Sequence, residues 1–215
     1  MKVEIFSDVV CPWCYIGKRR FERALEAFDG ASDVEVEWRS FQLNPDQPRG
    51  AVGNHDDHLA RKMGVSVERV REINEQVTGL AAAEGLDYHF ETYKVVNTFD
   101  VHRLLHFAKA NGVGEEAEER LLRAQLVEGA TLDDIDTLVG LAGELGLDTD
   151  AARAALESDA YADAVTADLE LARAFGISGV PFFVIDRKYG ISGAQPPEAF
   201  LQVFEKIRDE AAAAV

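Results

Sequence analysis

The chain opens on an alternation. In KVEIF, Val3 and Ile5 stand against Lys2 and Glu4, which predicts a strand. From Cys11 the spacing lengthens. Phe21, Ala24, Leu25 and Phe28 recur at helical intervals, and Gly30 stops the run. VEVEWRSF (34–41) alternates again and predicts a second strand. A β-α-β unit of this kind favours parallel strands with a right-handed crossover. NPDQPRGAVGN (44–54), with two prolines and two glycines, breaks the pattern and reads as a linker. Helical spacing then predicts helices near 55–63, 66–84, 98–111, 115–128, 133–145, 149–157 and 159–175. Asp133 is placed to cap the helix bearing Ile135, Leu138, Val139 and Ala142, Gly146 to close it, and Asp148 to cap the next. At Gly176 the pattern switches back. VPFFVI (180–185) predicts a short apolar strand, DRKY a turn, and GISG the second strand of a hairpin. QPPEAFLQVFEKIRDE predicts a closing helix, with Pro196 and Pro197 at its start and Phe200, Leu201, Phe204 and Ile207 as its buried stripe.

The order is β-α-β, a helical block, then β-β-α. Without the block this is the order of a thioredoxin fold, so the expected class is α/β with a large all-helical insertion. Residues 1–50 and 175–215 supply the thioredoxin-like part, and 51–174 the insertion, about the size of a small domain. A chain of 215 residues that is 47% hydrophobic can build a sizeable core. Its net charge of −17 disfavours a nucleic-acid partner, because phosphates would be repelled. No run of about eighteen apolar residues predicts a membrane span. The alternating first residues lack the apolar stretch of a signal peptide, so the expected location is cytoplasmic.

The two cysteines of the chain fall together in CPWC, at Cys11 and Cys14. Zinc would need four ligands, and there is no second C-x-x-C. His55 with His58, or His102 with His106, would have to complete the site, and nothing in the sequence links either pair to Cys11. Two thiols that merely pack would need neither the strand-to-helix junction nor the proline between them. Redox chemistry uses both. At a helix N-terminus the free amide N–H groups and the helix dipole stabilise a thiolate, and the thiolate is the form that attacks a disulfide. Cys14, about one turn on, is placed to resolve the mixed disulfide. Pro12 suits the first turn, and Trp13 can project toward a partner. A C-x-x-C at such a junction in a cytosolic protein points to redox function. Val180–Pro181 heads the third strand. In a thioredoxin-like fold this proline sits opposite the C-x-x-C in the cis form, and the Val180 backbone is open to pair with a substrate segment. Asp8, just before the motif, is a candidate to accept or relay the Cys11 proton, against the plainer role of a loop or capping aspartate.

SDVVCPWCYIGKRRFE, the long helical block and GISGVPFFVI…YGISGAQP together resemble the DsbA-like oxidoreductases of the FrnE type. The resemblance spans essentially the whole chain. It implies a thioredoxin fold with a helical insertion, a reactive Cys11, a resolving Cys14 and a cis Pro181. It implies thiol–disulfide oxidoreductase or disulfide-isomerase activity on protein or small-molecule thiols, with no metal and no bound cofactor. It also suggests that Asn97, His102 and Arg103, in the helix-opening stretch NTFDVHR, face the cleft, against the plainer reading of a cap and a helix face. Trp38 and Phe41 read as core. The Pro-Trp dipeptide lacks the histidine of DsbA, so the expected potential lies between thioredoxin, about −270 mV, and DsbA, about −120 mV, nearer the former. Architectural relatives include the glutathione-dependent 2-hydroxychromene-2-carboxylate isomerases and kappa-class glutathione transferases. These usually carry serine at the place of Cys11, so an isomerase or transferase is the alternative, with glutathione as co-substrate. A non-enzymatic binding module is a third reading, which the intact C-x-x-C disfavours. Monomer and homodimer both remain open.

Overall fold

The computed structural model describes residues 1–50 and 53–213, so residues 51 and 52 of the expected linker lie outside it. Strands β1 (Lys2–Ser7), β2 (Glu35–Ser40), β3 (Phe182–Ile185) and β4 (Tyr189–Ser192) form a sheet in the order β2-β1-β3-β4. β1 runs parallel to β2, with Ile5 opposite Trp38, and antiparallel to β3, with Ile5 opposite Phe183. The crossover between β1 and β2 is helix α1 (Pro12–Ala27). The closing helix, α9 (Pro197–Ala213), begins on the second proline of the pair. Alternation puts Val3 and Ile5 on one face of β1. There they meet Phe183 and Ile185, Phe21 and Ala24 of α1, and Phe200 and Phe204 of α9 in a single apolar core. Phe183 and Phe200 pack edge to face, with centroids 4.7 Å apart.

The β3–β4 hairpin turns through Asp186 and Arg187, both at positive φ (48° and 54°). A turn whose two central residues both have positive φ matches strand twist but normally takes Asn or Gly there. Here contacts hold the costly conformation. The Asp186 N–H donates to Lys2 O at 2.8 Å, its carboxylate accepts from Lys2 N at 2.6 Å, and Arg187 pairs with Glu4 at 3.0 Å.

Between β2 and β3 run α2 (His55–Met63), α3 (Val67–Ala83), α4 (Phe99–Ala110), α5 (Gly114–Leu126), α6 (Ile135–Glu144), α7 (Thr149–Glu157) and α8 (Ala162–Ala174). α4 is buried on most of its surface, from Val101 to Ala108, as the middle helix of a bundle must be. Asp148 caps α7, and Gly146 follows α6 at φ 75°. The cap of α6 is Asp134 rather than the expected Asp133: its carboxylate accepts from Thr137 N at 2.8 Å. Asp133 instead accepts from Gly50 N at 2.7 Å and ties the linker down. The expected helix from 159 starts at 162, because Tyr161 lies in the left-handed region (φ 63°). A short 3-10 turn at Ala31–Asp33 was not predicted.

The second face of the sheet meets the block through Phe6, Val184, Ala172 and Ile177. Beside them runs a buried ionic chain: Glu4 to Arg39 at 2.7 Å, Arg39 to Asp168 at 3.0 Å, Asp168 to His106 at 3.1 Å. Buried charges survive only when paired in this way. No helix among the described residues is long and apolar enough to cross a membrane.

Candidate active site

β1 delivers its chain directly to the dithiol. The Cys11 N–H donates to Asp8 O at 2.9 Å, closing the turn, and Cys11 caps α1 in an extended conformation. Pro12 is the first helical residue, where its missing N–H costs nothing. Cys11 therefore sits at the positive end of the helix dipole, beside the free amides of the first turn. Cys14 lies one turn in, its N–H bonded to Cys11 O at 3.0 Å, and is only 1% exposed. Burial, with the Cys11 neighbour adding to it, pushes the Cys14 thiol well above its ordinary pKa. Both thiols are free. Trp13, between them, is 38% exposed.

The segment before β3 closes the other side. The Val180–Pro181 peptide is cis, and the Cys11 thiol donates to Val180 O at 3.4 Å. Close approach here depends on Gly17: a Cβ at that position would lie 2.9 Å from Pro181 Cγ. A cavity of about 400 Å³ opens from Cys11, Trp13 and Val180 toward Leu59, Met63 and Ile73 on α2 and α3. Its wall is mainly apolar, with Lys62 and His58 among the few polar groups.

Two tyrosines that sequence reasoning missed frame the motif. The Tyr93 hydroxyl donates to Val10 O and the Tyr88 hydroxyl to Pro12 O, each at 2.6 Å. They come from 84–98, a stretch with no regular period, whose one signal is its density of aromatic residues.

Cys11, Pro12, Trp13, Val180 and Pro181 thus converge. The polar candidates do not join them. Asp8 is fully buried beneath the motif. One carboxylate oxygen accepts from Leu43 N at 2.8 Å, and the other lies 3.4 Å from His102 Nε2. Only its main-chain carbonyl bonds Cys11, so the loop role fits it better than a proton acceptor at Cys11. His102 faces Asp8 and not the cavity. Burial opposes its charge, but Asp8 and Glu118 outweigh burial and raise its pKa. Arg103 points away from the cleft. Its guanidinium donates to Ala155, Leu156, Ser158 and Ala160 carbonyls, the unpaired acceptors at the end of α7. Asn97 accepts from Phe99 N at 2.9 Å and donates to Gln47 O at 2.6 Å, so it joins the linker to α4, whose N-cap is Thr98. Trp38 and Phe41 pack in the core. Among the described residues no group of three or more His, Cys, Asp or Glu side chains is arranged to hold a metal ion.

The family model of the DSBA-like thioredoxin domain matches residues 2–205. YwbO of Bacillus subtilis is 32% identical over 97% of this chain and 96% of its own. The crystal structure of a probable DsbA oxidoreductase from Streptomyces coelicolor superposes with a TM-score of 0.94 at 44% identity, over 98% of this chain and 91% of that one. Two more distant structures share the fold. A 2-hydroxychromene-2-carboxylate isomerase gives a TM-score of 0.76 at 16% identity, over all of both chains. The cytosolic disulfide reductase DsbM of Pseudomonas aeruginosa, solved with GSH, gives 0.66 at 19%, over 96% of this chain and 100% of that one. With a thioredoxin sheet, a free dithiol at a helix N-terminus and this match along nearly its whole length, the chain belongs to the DsbA-like thioredoxin family.

Proposed function

We propose that the chain exchanges thiols and disulfides through Cys11 and Cys14. The observation that carries this is the placement of Cys11: at the head of α1, on the cavity wall, with Cys14 buried one turn behind. The Cys11 thiolate attacks one sulfur of a substrate disulfide. The other substrate sulfur leaves as a thiolate and takes a proton from water. Cys14, as thiolate, then attacks the Cys11 sulfur and expels the second substrate thiolate. Two electrons pass to the substrate and a Cys11–Cys14 disulfide remains; the reverse sequence oxidises a dithiol. Once Cys11 gives up its proton it no longer donates to Val180 O, which becomes free to accept a substrate N–H in strand addition. Proteins and small thiols are both candidates, glutathione among them as reductant.

The test is trapping. Cys14→Ser incubated with oxidised glutathione is expected to hold a mixed disulfide on Cys11, seen as an intact-mass increment that dithiothreitol removes. The unaltered chain should pass on to the internal disulfide. Absence of any adduct on Cys11 would remove the redox reading. The apolar cavity favours one second reading, a glutathione-dependent isomerase or transferase acting on an aromatic substrate. Under that reading Cys11→Ser retains turnover; under the first it retains none.

A further inference from the structure

Among the described residues, five titratable side chains stand on the wall of the cavity beside the dithiol: Cys11, His55, His58, Lys62 and Tyr93. Three of them are engaged. A lysine ammonium has no lone pair to accept a proton, and Lys62 Nζ donates to Leu43 O at 3.3 Å. The Tyr93 hydroxyl donates to Val10 O, and burial holds it protonated well beyond its ordinary range. The His55 ring packs on Tyr93 and Phe90, with centroids 4.2 and 5.6 Å away, and its Nε2 is sealed from solvent. His58 is different. It is half-buried, and its ring makes no hydrogen bond or ion pair among the described residues. His55, His58, Leu59, Lys62 and Met63 follow one another at i, i+3, i+4, i+7 and i+8 along α2, so a single stripe of that helix faces the cavity, and His58 stands in it.

Resting on the dithiol reading above, we propose that His58 is the general base for a small thiol that enters the cavity and opens the Cys11–Cys14 disulfide. The substrate class this implies is the protonated alkyl thiol. The oxidant is the internal disulfide itself. The S–H bond of the thiol breaks and its proton passes to the free nitrogen of the His58 ring. The electron pair left on the thiol sulfur forms a bond to the Cys11 sulfur. The Cys11–Cys14 bond breaks and its pair goes to Cys14, which takes a proton from solvent, while His58 gives its own back. The incoming sulfur is oxidised, Cys14 is reduced, and no proton is consumed overall.

The surroundings suit a base. An alkyl thiol is only a few per cent ionised near neutrality, at about pH 7, so most of it arrives in the unreactive form. Burial lowers the His58 pKa, and Lys62 and Arg61 add to this. The ring is therefore neutral at neutral pH, with one nitrogen free to accept. No aspartate or glutamate stands on the described wall to hold the ring charged, although the chain carries 39 acidic residues. The charged and titratable groups around His58 are Cys11 from the head of α1, His55, Arg61 and Lys62 from α2, and Tyr93 from the stretch before α4. α3 contributes only Ile73, Asn74 and Val77. Because His58 is half-buried, the proton it takes has a way out to solvent.

The experiment opens the oxidised chain with two thiols slightly above neutral pH. One is 2-mercaptoethanol, almost wholly protonated there; the other is thiophenol, mostly ionised. Loss of the internal disulfide is followed by acid quench, maleimide labelling and intact mass. A base helps only the thiol that still holds its proton. His58→Gln is therefore expected to slow 2-mercaptoethanol by about tenfold and to leave thiophenol unchanged. The effect falls short of the full scale of general acid–base catalysis because some thiolate is always present in water. The imidazole inflection should also vanish from the 2-mercaptoethanol pH profile of His58→Gln. Lys62→Gln, which removes a neighbouring positive charge, should move that inflection to higher pH, and it serves if His58→Gln folds poorly. Equal slowing of both thiols, slowing of neither, or an inflection that stays in place in Lys62→Gln would overturn the base while leaving the dithiol reading intact. Failure of both thiols to open the disulfide of the unaltered chain would overturn the dithiol reading itself.

Discussion

Gly17 lies in the middle of α1, where glycine costs about 1 kcal/mol relative to alanine. The cost is explained by the Pro181 ring, which a Cβ would meet at 2.9 Å. Overpacking against a ring that cannot swing aside costs about 1–3 kcal/mol, more than the helix would gain. Gly17→Ala is therefore expected to lower the melting temperature and to slow attack by Cys11, by displacing Val180. Calorimetry beside the parent decides it: a rise in melting temperature would mean that the Pro181 loop yields. Nothing in CPWCYIG announces this contact, since it joins residues far apart in the chain. Arg103 shows the same limit from the other side. Its position on a helix is legible. That its partners are the unpaired carbonyls ending α7 is not, because periodicity says which face is buried and never against what.

Elements were legible wherever a local rule acts alone. Alternation located β1 and β2, Gly176 and the apolar VPFFVI located β3, and the caps Asp148 and Gly146 bounded their helices. Adjacent aspartates defeat such a rule, since Asp133 and Asp134 have the same chemistry and only the loop geometry chooses between them. The structure assigns the cap to Asp134, so Asp134→Ala should cost about 1 kcal/mol in urea unfolding. Asp133→Ala, which loses an exposed bond to Gly50 N, should stay within about 0.5 kcal/mol. Equal losses would contradict the assignment. The segment carrying Tyr88 and Tyr93 escaped notice for a related reason. It has neither period, and its place against the motif comes from two hydroxyls bonded to Pro12 O and Val10 O, contacts that join residues far apart in the chain.

Across the whole molecule the buried charges set opposing pH limits. Burial pushes the Glu4 carboxyl up, but Arg187 and Arg39 outweigh it and hold it below its ordinary value. Asp168 is likewise held down, against burial, by His106 and Ser40 N–H. A carboxyl depressed by folding contributes stability above its unfolded pKa, near 4, which is lost as pH falls through the folded value. His102 and Glu118 have the other sign. Raised by folding, they contribute fully below their unfolded values, about 6.5 for histidine and 4.3 for glutamate, and lose that contribution as pH rises through the folded ones. Urea midpoints measured from about pH 3 to 9 should therefore peak on the weakly acid side, and Glu4→Gln should flatten the acid limb alone. A midpoint that keeps climbing past neutrality would refute the assignment of His102. The sheet order carries a further consequence, for synthesis. β1 is an inner strand, and its antiparallel neighbour β3 follows the entire helical block. At about 5–20 residues per second, a ribosome leaves that edge of β1 unpaired for on the order of ten seconds. Through that interval Val180 has not yet been made, and the Cys11 thiol lacks the carbonyl it meets in the folded chain. On that side the thiol is open to oxidants until the last forty or so residues emerge.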